Sequence, residues 1–180
     1  MKAVLLFFAL ISLPALAQVK LPTSEAGQVQ YQEIVRIGDG KGPARPIYDQ
    51  ICTWARQRYP MANEAELHYD PQHGIVFVRS LFPLGDETVR YTLTIEARLG
   101  RYRATITDLI AEQRGGLVQP VRPVSSTAEE MARIAADSVR NTKLIEQIAD
   151  EQAELYKQID GSCRATLSSL KQFVTNALAK

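Results

Sequence analysis

Four sets of residues in this 180-residue chain are of types that do chemistry. His68, Asp70 and His73 form a His-x-Asp-x-x-His pattern, and imidazole nitrogens with a carboxylate oxygen are ligands for zinc or a related metal. A metal site wants three or four converging ligands, and polar residues at this spacing are also what a tight turn uses to satisfy its own backbone. Cys52 and Cys163 are the two cysteines, but a nucleophilic thiolate needs a basic neighbour and no histidine is tied to either by sequence. Gly38-x-Gly40-x-Gly42 follows a strand-like stretch, yet Pro43 and the missing later glycine spoil a dinucleotide loop. The fourth set is Arg98, Arg101 and Arg103 with Glu96. Planar guanidiniums grip carboxylates or sulfates, and the same residues also suit a plain solvated strand face. No carboxylate pair takes acid and base roles from spacing alone. Catalytic, cofactor-binding and metal residues are therefore left unassigned, no cofactor is implied, and Arg98, Arg101, Arg103 and Glu96 stand as a candidate binding face.

These residues must be positioned by elements whose signals are local. Gln28 to Ile37 alternates, with Val29, Tyr31, Val35 and Ile37 on one side and Gln28, Gln30, Gln32 and Arg36 on the other, which reads as a half-buried strand. After a glycine-rich loop, Pro46 suits a first helical turn. Ile47, Tyr48, Ile51, Trp54, Ala55 and Tyr59 then share one arc of a helix stopped by Pro60, with Cys52 at the arc's edge. Two hairpins follow. Turning at Pro71-Gln72-His73-Gly74 pairs Asp70 with Ile75, Tyr69 with Val76 and Leu67 with Val78. Turning at Leu99-Gly100 pairs Arg98 with Arg101, Glu96 with Arg103, Thr94 with Thr105 and Thr92 with Thr107, and sets Ala97, Ile95 and Leu93 against Tyr102, Ala104 and Ile106. A one-residue slip would put Ile95 and Leu93 against Arg103 and Thr105, so the register is well specified.

The N-terminus carries an address. Lys2 precedes an apolar run from Ala3 to Leu13 broken only by Ser12, and Pro14-Ala15-Leu16-Ala17 supplies a break and an A-x-A pattern. Residues 1–17 read as a secretory signal peptide, with the mature chain beginning at Gln18 and destined for the periplasm or the exterior. The run is shorter than the roughly 20 apolar residues a transmembrane helix needs, and no later segment is apolar enough to span. In an oxidising compartment Cys52 and Cys163 become a candidate disulfide, with two buried free thiols as the alternative.

From Gln18 to Gly115 there are 12 basic and 12 acidic residues, and from Gly116 to Lys180 there are 8 and 8. Neither part holds the Lys and Arg surplus that neutralises phosphates, so nucleic acid is disfavoured as a partner. Residues 116–126, with Gly116, Pro120 and Pro123, read as a linker, and Ser126 with Glu129 as a capping box. Beyond lies a helical tail, 127–180. Heptad a positions are Met131, Ser138, Ile145, Gln152 and Ile159, and d positions are Ile134, Asn141, Ile148 and Leu155. Gly161 suits a C-terminal cap and Ser162 the next N-cap, so the tail is a long helix or a helical hairpin, packing on itself or on the sheet. A coiled coil to a partner is the sharper alternative.

The order strand, helix, four strands, helix is α+β. With Leu21-Pro22, Gly27 and Tyr31 before and in the first strand, Trp54 in the helix, Tyr91-Thr92-Leu93, Gly100-Arg101-Tyr102-Arg103 and Thr105-Ile106-Thr107, the chain resembles the exported bacterial domain of unknown function 4468 family. The resemblance runs from Leu21 to about Glu112. It implies a βαβ4α antiparallel sheet of TATA-box-binding-protein-like (TBP-like) fold over residues 18–115, an envelope location, and no catalytic residues. The fold name alone does not import DNA binding. The expectation is a non-enzymatic protein-binding or structural module of the cell envelope with an envelope protein as partner. The alternative is a small-ligand-binding protein or hydrolase whose site assembles only in three dimensions.

Overall fold

The structure, a computed structural model, describes residues 18–113, 115–116, 118–127, 131 and 142–179. The expected signal segment and most of the expected start of the tail helix, including Glu129, lie outside the described residues. Strands β1 (Tyr31–Arg36), β2 (Leu67–Asp70), β3 (Ile75–Leu84), β4 (Glu87–Arg98), β5 (Arg101–Gln113) and β6 (Val118–Pro120) alternate with helices α1 (Ala44–Arg58) and α2 (Thr142–Leu178). The strands form one antiparallel sheet in the order β1-β5-β4-β3-β2, with β6 also paired to β5. Both hairpins take the register expected from their apolar pairing, Tyr69 opposite Val76 and Ile95 opposite Ala104 among the pairs. Near the middle of β5 the ladder shifts between Arg90 and Thr92, and Asp108 there has a left-handed φ of 52°. A bulge of this kind bends the strand and increases its twist.

One face of the sheet is the core. Val35, Tyr102, Ala97, Ile95, Leu93, Ile106, Val76 and Val78 are buried there against Ile47, Ile51, Trp54 and Ala55 of α1. Its partner is α2, where Ile145, Ala149, Tyr156, Ile159, Cys163, Leu167, Leu170 and Val174 are buried in steps of three, four or seven residues. From Tyr156 onward this stripe belongs to the same core as the sheet, each large buried side chain contributing about 1.5–3 kcal/mol relative to exposure. Polar contacts repeat the docking. Tyr31 Oη donates to Asp160 Oδ1 at 3.1 Å, Trp54 Nε1 to Ser169 Oγ at 3.2 Å and Lys171 Nζ to Glu33 Oε1 at 2.8 Å.

Two local readings of the tail are corrected. Gly161 does not cap a helix; α2 is continuous from Thr142 to Leu178 and carries both Gly161 and Ser162 in its interior. A glycine inside a helix costs only about 1 kcal/mol against alanine, which the apolar stripe on either side outweighs. The heptad frame also drifts. A straight helix falls about 20° behind a strict seven-residue repeat each time, so Ile148 is 44% exposed while Ala149 and Tyr156 are buried. Residues 116–126, read as a linker, contain β6 and a pairing with the N-terminal segment, in which Leu21 N donates to Pro123 O at 2.8 Å and Ser125 N to Val19 O at 3.1 Å. Neither described helix is both long and apolar enough to cross a membrane.

Candidate functional site

The other face of the sheet has no described element over it. Because directly opposite residues of antiparallel strands point the same way, the register writes this face out in rows. At one end Arg36, Arg101 and Arg98 lie side by side on β1, β5 and β4. The next row is Ile34, Arg103, Glu96, Ile75 and Asp70. Then come Gln32, Thr105, Thr94, Phe77 and His68, followed by Thr107, Thr92 and Arg79. Ile34 is 55% exposed and Leu81, further along β3, 51%. Arg79 stacks its guanidinium over Phe77, 5.3 Å from the ring centroid.

All four candidate residues of the second hairpin fall on this face, but they do not act alike. Glu96 accepts from Arg98 on one carboxylate oxygen and from Arg103 Nη2 at 2.6 Å on the other. Its side chain is 15% exposed, so two guanidiniums are committed to neutralising a half-buried carboxylate. Arg101 has no ion-pair partner among the described residues, and neither does Arg36, which sequence reasoning placed on the polar side of its strand without a neighbour. The missing signal was the pairing of β1 with β5, which joins residues 65 positions apart.

The loop that follows β1 holds this end of the sheet rigid. Ile37 N donates to Gly100 O at 2.9 Å and Gly100 N to Gly42 O at 2.6 Å. Gly100 has φ +62°, and a Cβ there would sit 1.8 Å from Gly40 O, so only glycine permits the turn and the loop to meet. Gly40 and Gly42 thus serve this contact.

The remaining candidates have structural work. Asp70 Oδ1 accepts from the backbone N–H groups of Gln72 and His73, each at 3.1 Å, and Oδ2 lies 2.7 Å from His73 Nδ1. These bonds, the His73 N–H foremost, hold the Asp70 carboxyl below its ordinary range. His68 sits two residues away, beside Phe77 on the exposed face. Among the described residues no group of three His, Cys, Asp or Glu is placed to hold a metal.

Cys52 and Cys163 are both buried and both free, so the candidate bridge is not formed. Burial raises both thiols: Cys163 is pushed up to about 12, with Asp160 adding to it, and Cys52 is raised too, although a hydrogen bond with Tyr48 and the charge of Arg56 oppose the shift. Such thiols are poor nucleophiles at neutral pH. A groove of about 350 Å³ runs between β6 and α2. Two polar groups in it are already engaged, since Gln152 Oε1 accepts from Ser126 N at 2.8 Å and Tyr156 Oη from Arg122 N at 3.2 Å.

An antiparallel sheet with both helices on one face and the other face open makes this an α+β protein of TBP-like fold. The chain is similar to a TBP-like protein from Parabacteroides distasonis, with a TM-score of 0.53 and 15% identity over 83% of this chain and 96% of that one. It is similar also to a DUF4468 family protein from Bacteroides ovatus, with a TM-score of 0.52 and 13% identity over 83% of this chain and 90% of that one. At such identities the likeness is one of fold. No family model matches the chain, and no curated protein does.

Proposed function

We propose that this chain is an exported, non-enzymatic binding module of the bacterial envelope, of the DUF4468 kind, that docks another protein on the open face of its sheet. The observation that carries this reading is the asymmetry of the sheet: one face lies under both helices, while the other keeps Ile34 and Leu81 exposed among rows of arginine and threonine. An antiparallel sheet can leave one face open to solvent, and here that face offers a partner apolar contacts and hydrogen-bonding groups on one surface. The signal-like residues 1–17 support export to the periplasm or exterior. The small-ligand or hydrolase reading has less support, because the groove beside α2 spends Gln152 and Tyr156 on backbone donors.

A photo-crosslinking residue at Thr94, on the open face, is expected to form an adduct with an envelope protein, whereas one at Gln172, exposed on α2, is not. No adduct from Thr94, or equal adducts from both positions, would sink the docking face. Export is tested separately by the mass of the protein recovered from the envelope. A chain starting at Gln18 is expected, and retention of residues 1–17 would overturn it.

A further inference from the structure

We infer that Arg36 and Arg101 form a carboxylate clamp at one end of the open sheet face, and that it takes an acidic segment of a partner polypeptide. This rests on the docking-face reading and names the chemistry of what docks.

Three arginines are aligned across adjacent strands in the row Arg36, Arg101, Arg98. Directly opposite Cα atoms in such a ladder are only about 5 Å apart, and like charges facing each other there are destabilising. Arg98 is relieved by Glu96, as is Arg103 in the next row. Arg36 and Arg101 have no such relief among the described residues, so an added carboxylate would remove a repulsion as well as gain two charge-assisted hydrogen bonds. The Gly100 contacts with Ile37 and Gly42 hold β1 against the hairpin turn, so the two arginines are opposed before any partner arrives.

The surroundings choose among anions. Glu96 holds Arg98 and Arg103, so among the described residues the free positive charge of the cluster is confined to Arg36 and Arg101, too few cations to neutralise the successive phosphates of a nucleic acid. Ile34 adjoins the clamp and Thr105 and Thr94 lie one row further along the same face, so an extended polypeptide finds both apolar contact and short polar partners. The chain is close to neutral, with 21 basic and 20 acidic residues, so this cluster is a local surplus and not part of a general basic surface.

The test uses the chain from Gln18 to Lys180 and a fluorescein-labelled oligoglutamate peptide, read by anisotropy. The double variant Arg36→Gln/Arg101→Gln is expected to bind about tenfold more weakly, the combined effect of losing two exposed ion pairs that each contribute a few-fold. Arg98→Gln, which removes a guanidinium already held by Glu96, should cost clearly less. Glu96→Gln, which releases two guanidiniums, should tighten binding. Trp54 fluorescence confirms that each variant is folded. Unchanged binding by the double variant, a loss in Arg98→Gln as large as in the double variant, or tighter binding of a labelled oligodeoxynucleotide than of oligoglutamate would each overturn the clamp. A Thr94 adduct that forms equally in wild type and double variant would remove the clamp and leave the docking face standing. An absent adduct in wild type would remove the docking face, while the oligoglutamate titration still decides the clamp.

Discussion

At Glu96 the carboxylate is shared by Arg98 and Arg103, so three arginines that look equivalent along the hairpin divide into two that are spent and one that is not. The two cysteines, by contrast, are both buried with raised thiols, Cys163 the more completely. Cys163 is wholly buried, and its thiol titrates at about 12 in the folded chain against an ordinary value of 9.0. Between those values the unfolded chain releases a proton that the native state keeps, so the stabilising contribution is complete below about pH 9 and is lost as pH rises toward 12. Urea midpoints measured across this window should fall with pH, and Cys163→Ala should make the fall shallower. The slope that remains belongs to Cys52 and to the tyrosines that burial also keeps protonated, Tyr31, Tyr48, Tyr59, Tyr69, Tyr91, Tyr102 and Tyr156. An unaltered slope would mean that Cys163 does not carry the effect. Of the candidate binding residues, Glu96, Arg98, Arg101 and Arg103 were legible from the hairpin register. Arg36 was not, because its neighbour Arg101 belongs to a strand that no local pattern connects to it.

Among the elements, the hairpins were the most legible, since a turn of two or four residues and alternating side chains decide the register within a few residues of the turn. The tail was the least. Gly161 followed by Ser162 has the chemistry of a helix stop and start, yet α2 runs through both because its buried side passes from Ile159 to Cys163 without a break. An added Cβ at Gly161 meets nothing within 4 Å. Gly161→Ala is therefore expected to stabilise the protein by about 0.5–1 kcal/mol in urea unfolding, through lost chain entropy in the unfolded state. Had Gly161 ended a helix in a left-handed conformation, the same change would destabilise. β6 escaped notice because its three residues are exposed and contain Pro120, so it has no alternating pattern and is defined by its pairing with β5.

For the whole molecule, the shared core has a cooperative consequence. Trp54, the single tryptophan, lies in α1 and donates to Ser169 of α2, so its fluorescence reports the joint between sheet, first helix and last. Unfolding followed by Trp54 fluorescence and by far-ultraviolet circular dichroism, which reports chiefly the 37-residue α2, is expected to give coincident transitions. Separated transitions would mean that the tail helix folds apart from the sheet. By itself the sequence determined the α+β class, the hairpin registers, the apolar face of α1 and the residues available for binding, because these depend on side-chain periods of 2 and 3.6 residues within one segment. The tertiary structure decided which strand lies beside β5, which face of the sheet is left open, that α2 completes the core, and that Arg36 stands next to Arg101. Those relations join residues far apart in the chain, and they are selected by how all the apolar faces are buried together and not by any one of them.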